Sequence, residues 1–219
     1  MGILRKQALV LLALLAITGS ATADNNMWLG VKAGTLGIGI EGIWRPIEWV
    51  DLRVGGNRYD YSETGAQAGI NYDATLELQT YYATANFRFP LSPFRVTAGF
   101  YSNSNQIKMA SIDTPTFDIG GTTYTSTEVG TLTSTTSWDS TSPYFGAGFD
   151  FELFGKLGMN FDFGVLWQGD PKVSLDATGT LAGAQAFLDD LDVERAELAD
   201  EVDVLKAYPV ISLGFNFNF

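Results

Sequence analysis

The sequence contains no cysteine and no histidine. Without cysteine there is no disulfide framework and no thiolate chemistry. Without histidine the commonest general base and the commonest metal ligand are both missing. Cationic residues are scarce, 13 Lys and Arg against 25 Asp and Glu. Two of the cations, Arg5 and Lys6, lie in an N-terminal segment read below as removed. That leaves 11 basic against 25 acidic residues in the mature chain, a net charge of −14. Nucleic acid is excluded as an expected partner, because phosphate binding needs clustered Lys and Arg. Beyond the N-terminus no stretch of 18 or more uncharged apolar residues occurs. Any membrane span must therefore be built from strands.

The first residues, MGILRKQALVLLALLAITGSATADNN, place Arg5 and Lys6 before an apolar run from Ala8 to Ile17 and small residues at Ser20-Ala21-Thr22-Ala23. This is the pattern of a secretory signal peptide over 1–23, with cleavage after Ala23. The alternative, a transmembrane anchor, needs a longer run than the one before Asp24. The expected mature domain is 24–219.

That domain alternates with period two, the signature of strands with unlike faces. Ile211, Leu213, Phe215, Phe217 and Phe219 alternate with Ser212, Gly214, Asn216 and Asn218. The same pattern recurs at 29–33, 36–45, 50–55, 82–89, 94–101, 145–152 and 157–168, which predicts eight strands. A soluble sandwich also alternates. Here, however, one face carries bulky aromatics in strand after strand, and the other carries glycine and paired charges. Apolar-out and polar-in is the pattern of an all-β, transmembrane, antiparallel up-and-down barrel. Trp44, Trp49, Trp167, Tyr208 and Phe219 fall where interfacial girdles are expected. Links at 45–48, 90–93 and 153–156 are short and read as periplasmic. Links at 61–71, 107–142 and 169–206 are long and read as extracellular loops. The turn at Gly34-Thr35 is very short for an outer link, which makes the first strand the weakest element.

A signal peptide, eight alternating segments and a terminal Phe preceded by apolar residues at every second place resemble the small outer-membrane β-barrels of Gram-negative bacteria, the OmpA/OmpX/OmpW-like class. The resemblance implies a location in the outer membrane, with membrane lipid and lipopolysaccharide as surroundings. It also implies that Leu213, Phe215, Phe217 and Phe219, with Gly214, match the C-terminal signal read by the barrel-assembly machinery.

Lys32, Arg45, Arg53, Arg88 and Arg95 fall on the inward face, as do Glu41, Asp51, Asp150, Glu152 and Asp162. Five charges of each sign are what pairing in a confined lumen requires. The expected arrangement is a packed polar core. A gated path for ions or small apolar solutes is the alternative, with room supplied by Gly37, Gly39, Gly55, Gly99, Gly146, Gly148, Gly158 and Gly164. Gly37-Ile38-Gly39-Ile40-Glu41-Gly42 matches G-x-G-x-x-G, but a strand runs through it where a dinucleotide site needs a helix.

Enzymatic barrels of the outer membrane, as those families are known, use a histidine. A paired-carboxylate mechanism at Asp150, Glu152 or Asp162 stays open as an outlying lipid-modifying reading, with no cofactor or dedicated metal site. Ala184 to Lys206 has helical period, with Leu188, Leu191, Leu198, Val202 and Leu205 on one side, Arg195 filling the gap, and acidic residues opposite. An amphipathic acidic helix is expected in the last extracellular loop, with weak Ca²⁺ or Mg²⁺ binding beside lipopolysaccharide phosphates. The function expected is that of a non-enzymatic integral barrel with structural or surface-interaction duties.

Overall fold

The computed structural model describes residues 26–67, 70–153 and 156–218. The signal-peptide reading and Phe219 lie outside them. The elements are β1 (Met27–Gly34), β2 (Gly37–Ile47), β3 (Val50–Gln67), β4 (Ile70–Arg88), β5 (Phe94–Asn103), β6 (Gln106–Ile112), β7 (Thr116–Ile119) and β8 (Thr122–Thr125). They continue with α1 (Ser126–Val129), β9 (Leu132–Ser137), β10 (Thr141–Leu153), β11 (Leu157–Trp167), β12 (Lys172–Ala177), α2 (Gln185–Glu201) and β13 (Ala207–Asn218).

Eight antiparallel strands, β1, β2, β3, β4, β5, β10, β11 and β13, pair in that order, and β13 returns to β1 to close a barrel. Closure leaves no sheet edge at this level. The first strand, the weakest from sequence, pairs on both sides, with Val31 opposite Phe215 on one and Ile40 on the other. The outward face is apolar and exposed: Ile38, Ile40, Val54, Phe87, Phe100, Phe145, Phe163, Phe215 and Phe217 all point away from the barrel. Trp44, Trp49 and Trp167 lie exposed near strand ends. Such a surface is stable in hydrocarbon and a liability in water. No helix among the described residues is long and apolar enough to cross a membrane.

At the long-loop end the sequence reading needs correction. Residues 61–67 and 70–71 are strand, not loop: β3 and β4 run on in unbroken register, from Val50 opposite Phe87 to Gln67 opposite Ile70. Beyond the barrel the upper part of β4 pairs with β6, β6 with β9, and β9 with β12. On one side, then, the barrel wall rises into a five-stranded extension, β3-β4-β6-β9-β12. On the other side it stops low, at the turn between Gly34 and Gly37, where Gly37 takes φ +94°.

The polarity of the two faces reverses on the extension. Outward there are Arg58, Asp60, Ser62, Glu77 and Lys108; inward there are Tyr59, Tyr61, Leu76, Ile107, Met109 and Val173, aligned by the strand pairings. A small second core forms at the top. Phe117, Ile119, Tyr124, Val129, Phe187 and Leu191 pack there on Leu132, Leu175 and Ala177. Full burial of each large side chain contributes about 1.5–3 kcal/mol. α1 is capped by Glu128, which accepts from the Thr125 amide at 2.7 Å and hydroxyl at 2.8 Å.

The helix expected at 184–206 is α2 followed by a short 3-10 turn, Asp203–Lys206. It packs on the neighbouring loop elements rather than on the barrel rim. Its inward face differs from the expected one: Phe187 and Leu191 are buried, whereas Leu188 is exposed. Glu194, not Arg195, fills the gap, accepting from the Gly120 amide at 3.2 Å.

Candidate functional site

All ten charged residues expected to face inward do so, and most meet in one network across the barrel. Arg53 Nε donates to Asp51 Oδ1 at 3.0 Å, its Nη2 to both Asp150 oxygens at 3.1 Å, and its Nη1 lies 3.8 Å from Glu41. Arg95, 1% exposed, gives Nε to Asp150 at 3.0 Å and Nη1 to Asn86 at 2.8 Å and Thr97 at 2.7 Å. Its Nη2 bonds Asp162, whose other oxygen accepts from Ser212. Nearer the short-turn end, Arg45 pairs with Glu152 at 3.1 Å, and Arg88 stands 3.8 Å from Asp150 and from Glu152. Glu152 is half exposed there.

Glu41 is held by the Tyr82 hydroxyl at 3.0 Å and by Asn160 at 2.9 Å. Lys32 places Nζ 4.0 Å over the Tyr82 ring. This cation–π contact replaces an ion pair, since no carboxylate of the described residues lies within 4.0 Å of it. The carboxylates of Asp150 and Asp162 are therefore arginine acceptors.

Above the charges sits a layer that sequence reasoning did not single out. Tyr82 stacks on Tyr101 with ring centroids 4.9 Å apart, and Tyr144 packs tilted against Tyr101 at 5.2 Å, joined by Leu36, Leu166 and Val210. Leu36 was expected to face lipid. The Gly34–Gly37 turn swings it inward, where it is buried. Apart from Gly158, the lumen glycines do not leave room. A Cβ on Gly146 or Gly164 would lie 2.4 or 2.5 Å from the Tyr144 hydroxyl, and one on Gly55 would lie 2.6 Å from that of Tyr82. Glycine is needed at these positions because a tyrosine side chain, from a neighbouring strand at Gly55 and Gly164 and from the same strand at Gly146, fills the space. What remains among Lys32, Glu41, Arg53, Tyr82 and Asp162 is a cavity of about 20 Å³, and a second of about 20 Å³ lies toward the short-turn end beside Arg45 and Asp150. Each is about the size of one water molecule.

An amide cluster ties barrel to extension. Asn103 and Asn105 both donate to Gln168 Oε1 at 3.0 Å, and Gln168 donates to the Leu205 carbonyl at 3.1 Å. Outside the barrel the Tyr124 hydroxyl donates to Asp190 at 2.6 Å, and hydrogen bonds from Tyr124 and Thr122 hold the Asp190 carboxyl below the usual range. Lys206 is raised above its ordinary value by its bonds to Asp170 and Asp203. Among the described residues no group of three or more carboxylates comes together as a metal site. Leu213, Phe215 and Phe217 form an exposed outward stripe on β13. G-x-G-x-x-G lies within β2, with no helix following.

The chain is similar in structure to CarO2 of Acinetobacter baumannii, at 24% identity and TM-score 0.61, covering 89% of this chain and 98% of that one. It is similar also to CarO of the same organism, at 22% identity and TM-score 0.57, over 89% and 98%. This chain has the fold of the small outer-membrane barrels. No family model matches the sequence, and no curated protein matches it.

Proposed function

We propose that this chain is a non-enzymatic integral outer-membrane protein in which a closed barrel anchors a surface-interaction module. The observation that carries the reading is the filled lumen, two water-sized cavities separated by Arg53 and topped by three packed tyrosines. Charge is distributed to match. The lumen holds five charges of each sign, and the short-turn end has Glu48 and Lys156. The segments 58–79, 104–140 and 169–206 hold 18 carboxylates and 5 cations. In this reading the short-turn end is periplasmic, the acidic extension faces outward among lipopolysaccharide, and Ca²⁺ or Mg²⁺ bridges its carboxylates weakly to lipid phosphates. The stripe ending at Phe219 is the label for the assembly machinery. Planar-bilayer recording on the purified protein tests the anchor. Silence is expected. Discrete, reproducible openings would favour the second reading, a narrow channel through rearranging pairs, for which the cavities flanking Arg53 are the supporting observation. Lipid A mass spectra after overexpression are expected to be unchanged.

A further inference from the structure

We infer that the inward face of the extension is a docking surface for a cationic amphipathic peptide, an inference that rests on the surface-interaction reading above. A soluble extracellular sheet buries its apolar face. Here the upper half of that face is buried under Phe117, Phe187 and their neighbours, whereas in the lower half Leu78 and Thr136 are buried but the side chains toward the open β3 edge are not. Tyr59 and Tyr61 are 43% and 48% exposed, and Leu76, Ile107, Met109 and Val173 beside them are only half-buried.

The site is open on one side for a topological reason. β2 pairs with β3 only as far as Ile38 opposite Arg58, so above that level no strand among the described residues covers the β3 edge. An extended or helical segment entering there meets the two tyrosine rings first. They lie nearly parallel, 8° apart in plane with centroids separated by 6.3 Å. Parallel exposed rings are a platform for a Lys or Arg head group. Glu63 lies on the same face, with its carboxylate on the Tyr61 hydroxyl at 2.8 Å. The apolar floor beyond suits the other side of an amphipath.

Charge selects among apolar ligands. With 18 carboxylates against 5 cations in the outward segments, the surroundings attract a cation and repel anionic lipid. The surface is therefore complementary to a cationic amphiphile and not to a lipopolysaccharide acyl chain, which carries phosphate with it.

The test uses the full mature protein in phosphatidylcholine nanodiscs and a fluorescent leucine–lysine peptide, with empty nanodiscs as background. Saturable binding above background is expected. Tyr59→Ser with Tyr61→Ser should weaken it about tenfold, from the loss of two exposed cation–π contacts. Glu63→Gln should weaken it about threefold and reduce its salt dependence. Heat-modifiable gel migration confirms that each variant is folded. A leucine–glutamate peptide binding as tightly, tyrosine variants binding like wild type, or no saturable binding would each overturn the inference. None of those results bears on conductance, and channel openings would overturn the anchor reading without touching peptide binding.

Discussion

Arg95 is the single lumen residue whose loss should cost most. It is fully buried and bonds Asp150, Asp162, Asn86 and Thr97 at once. Arg95→Met keeps most of the volume and removes the charge. Asp150 retains Arg53, but Asp162 is left with Ser212 as its neutral donor. An uncompensated buried charge of this kind costs about 3–5 kcal/mol. With a urea slope of about 2 kcal/mol per M, the unfolding midpoint should fall by about 2 M. Urea titration in lipid vesicles, followed by fluorescence of the five tryptophans and by loss of folded gel migration, measures the shift. Adding Asp162→Leu removes the stranded carboxylate, and most of the loss should return, since a buried pair replaced by apolar residues is often close to neutral. A single variant within about 0.5 M of wild type, or a double variant worse than the single, would refute the network as the origin of barrel stability.

Two lumen glycines should respond differently to alanine. At Gly99 a Cβ would lie 2.3 Å from the Ala83 carbonyl oxygen and 2.7 Å from Thr84 Cα, so Gly99→Ala should cost about 1–3 kcal/mol, whereas at Gly158 the nearest atom is 3.5 Å away and the change should cost under about 0.5 kcal/mol; the same urea titration separates them. The Asp190 carboxyl, held below its usual pKa by Tyr124 and Thr122, contributes to the packing of α2 above its unfolded pKa of about 3.9, and that contribution is lost as pH falls through the lower folded value. Limited proteolysis should therefore find α2 equally protected from pH 7 down to about 4 and cut faster below it, and Asp190→Asn should abolish that pH step. Deleting Phe219 should lower membrane insertion and leave protease-sensitive chain in the periplasm; normal heat-modifiable migration would count against the assembly label.

Strand alternation and the inward placement of Arg53, Arg95, Glu41 and Asp162 were legible in the sequence, because period two fixes side-chain direction once a strand is recognised. Four features were hidden for identifiable reasons. Tyr59-Asp60-Tyr61-Ser62 also alternates, but with polarity opposite to Leu52-Arg53-Val54, so a rule that seeks one apolar face throughout reads it as loop. Leu36 was assigned by carrying the alternation into a turn, where the positive φ of Gly37 resets direction. The glycines looked like free space because most of what fills them belongs to neighbouring strands. Tyr144 comes to cover Gly164 only through the pairing of β10 with β11. In α2, counting leucines selected Leu188 and passed over Phe187, the side chain that tertiary packing uses.

The reversal of polarity also accounts for the tyrosine layer. A strand has two faces, and the medium outside decides which must be apolar. Along β4 the outward residues run from Phe87, Ala85, Ala83 and Tyr81 to Gln79 and Glu77, while the inward ones run from Asn86 and Thr84 to Leu78 and Leu76. Hydrocarbon outside requires a polar interior, and water outside requires an apolar one. Where one regime gives way to the other, the inside must pass from charge to hydrocarbon within a few residues. Tyrosine suits that boundary, with a ring for the apolar side and a hydroxyl for the polar side. Tyr82 shows both contacts, its hydroxyl on Glu41 and its ring on Tyr101. The closed lumen is thus what a barrel wall becomes when it continues past the membrane as a sheet with a core of its own.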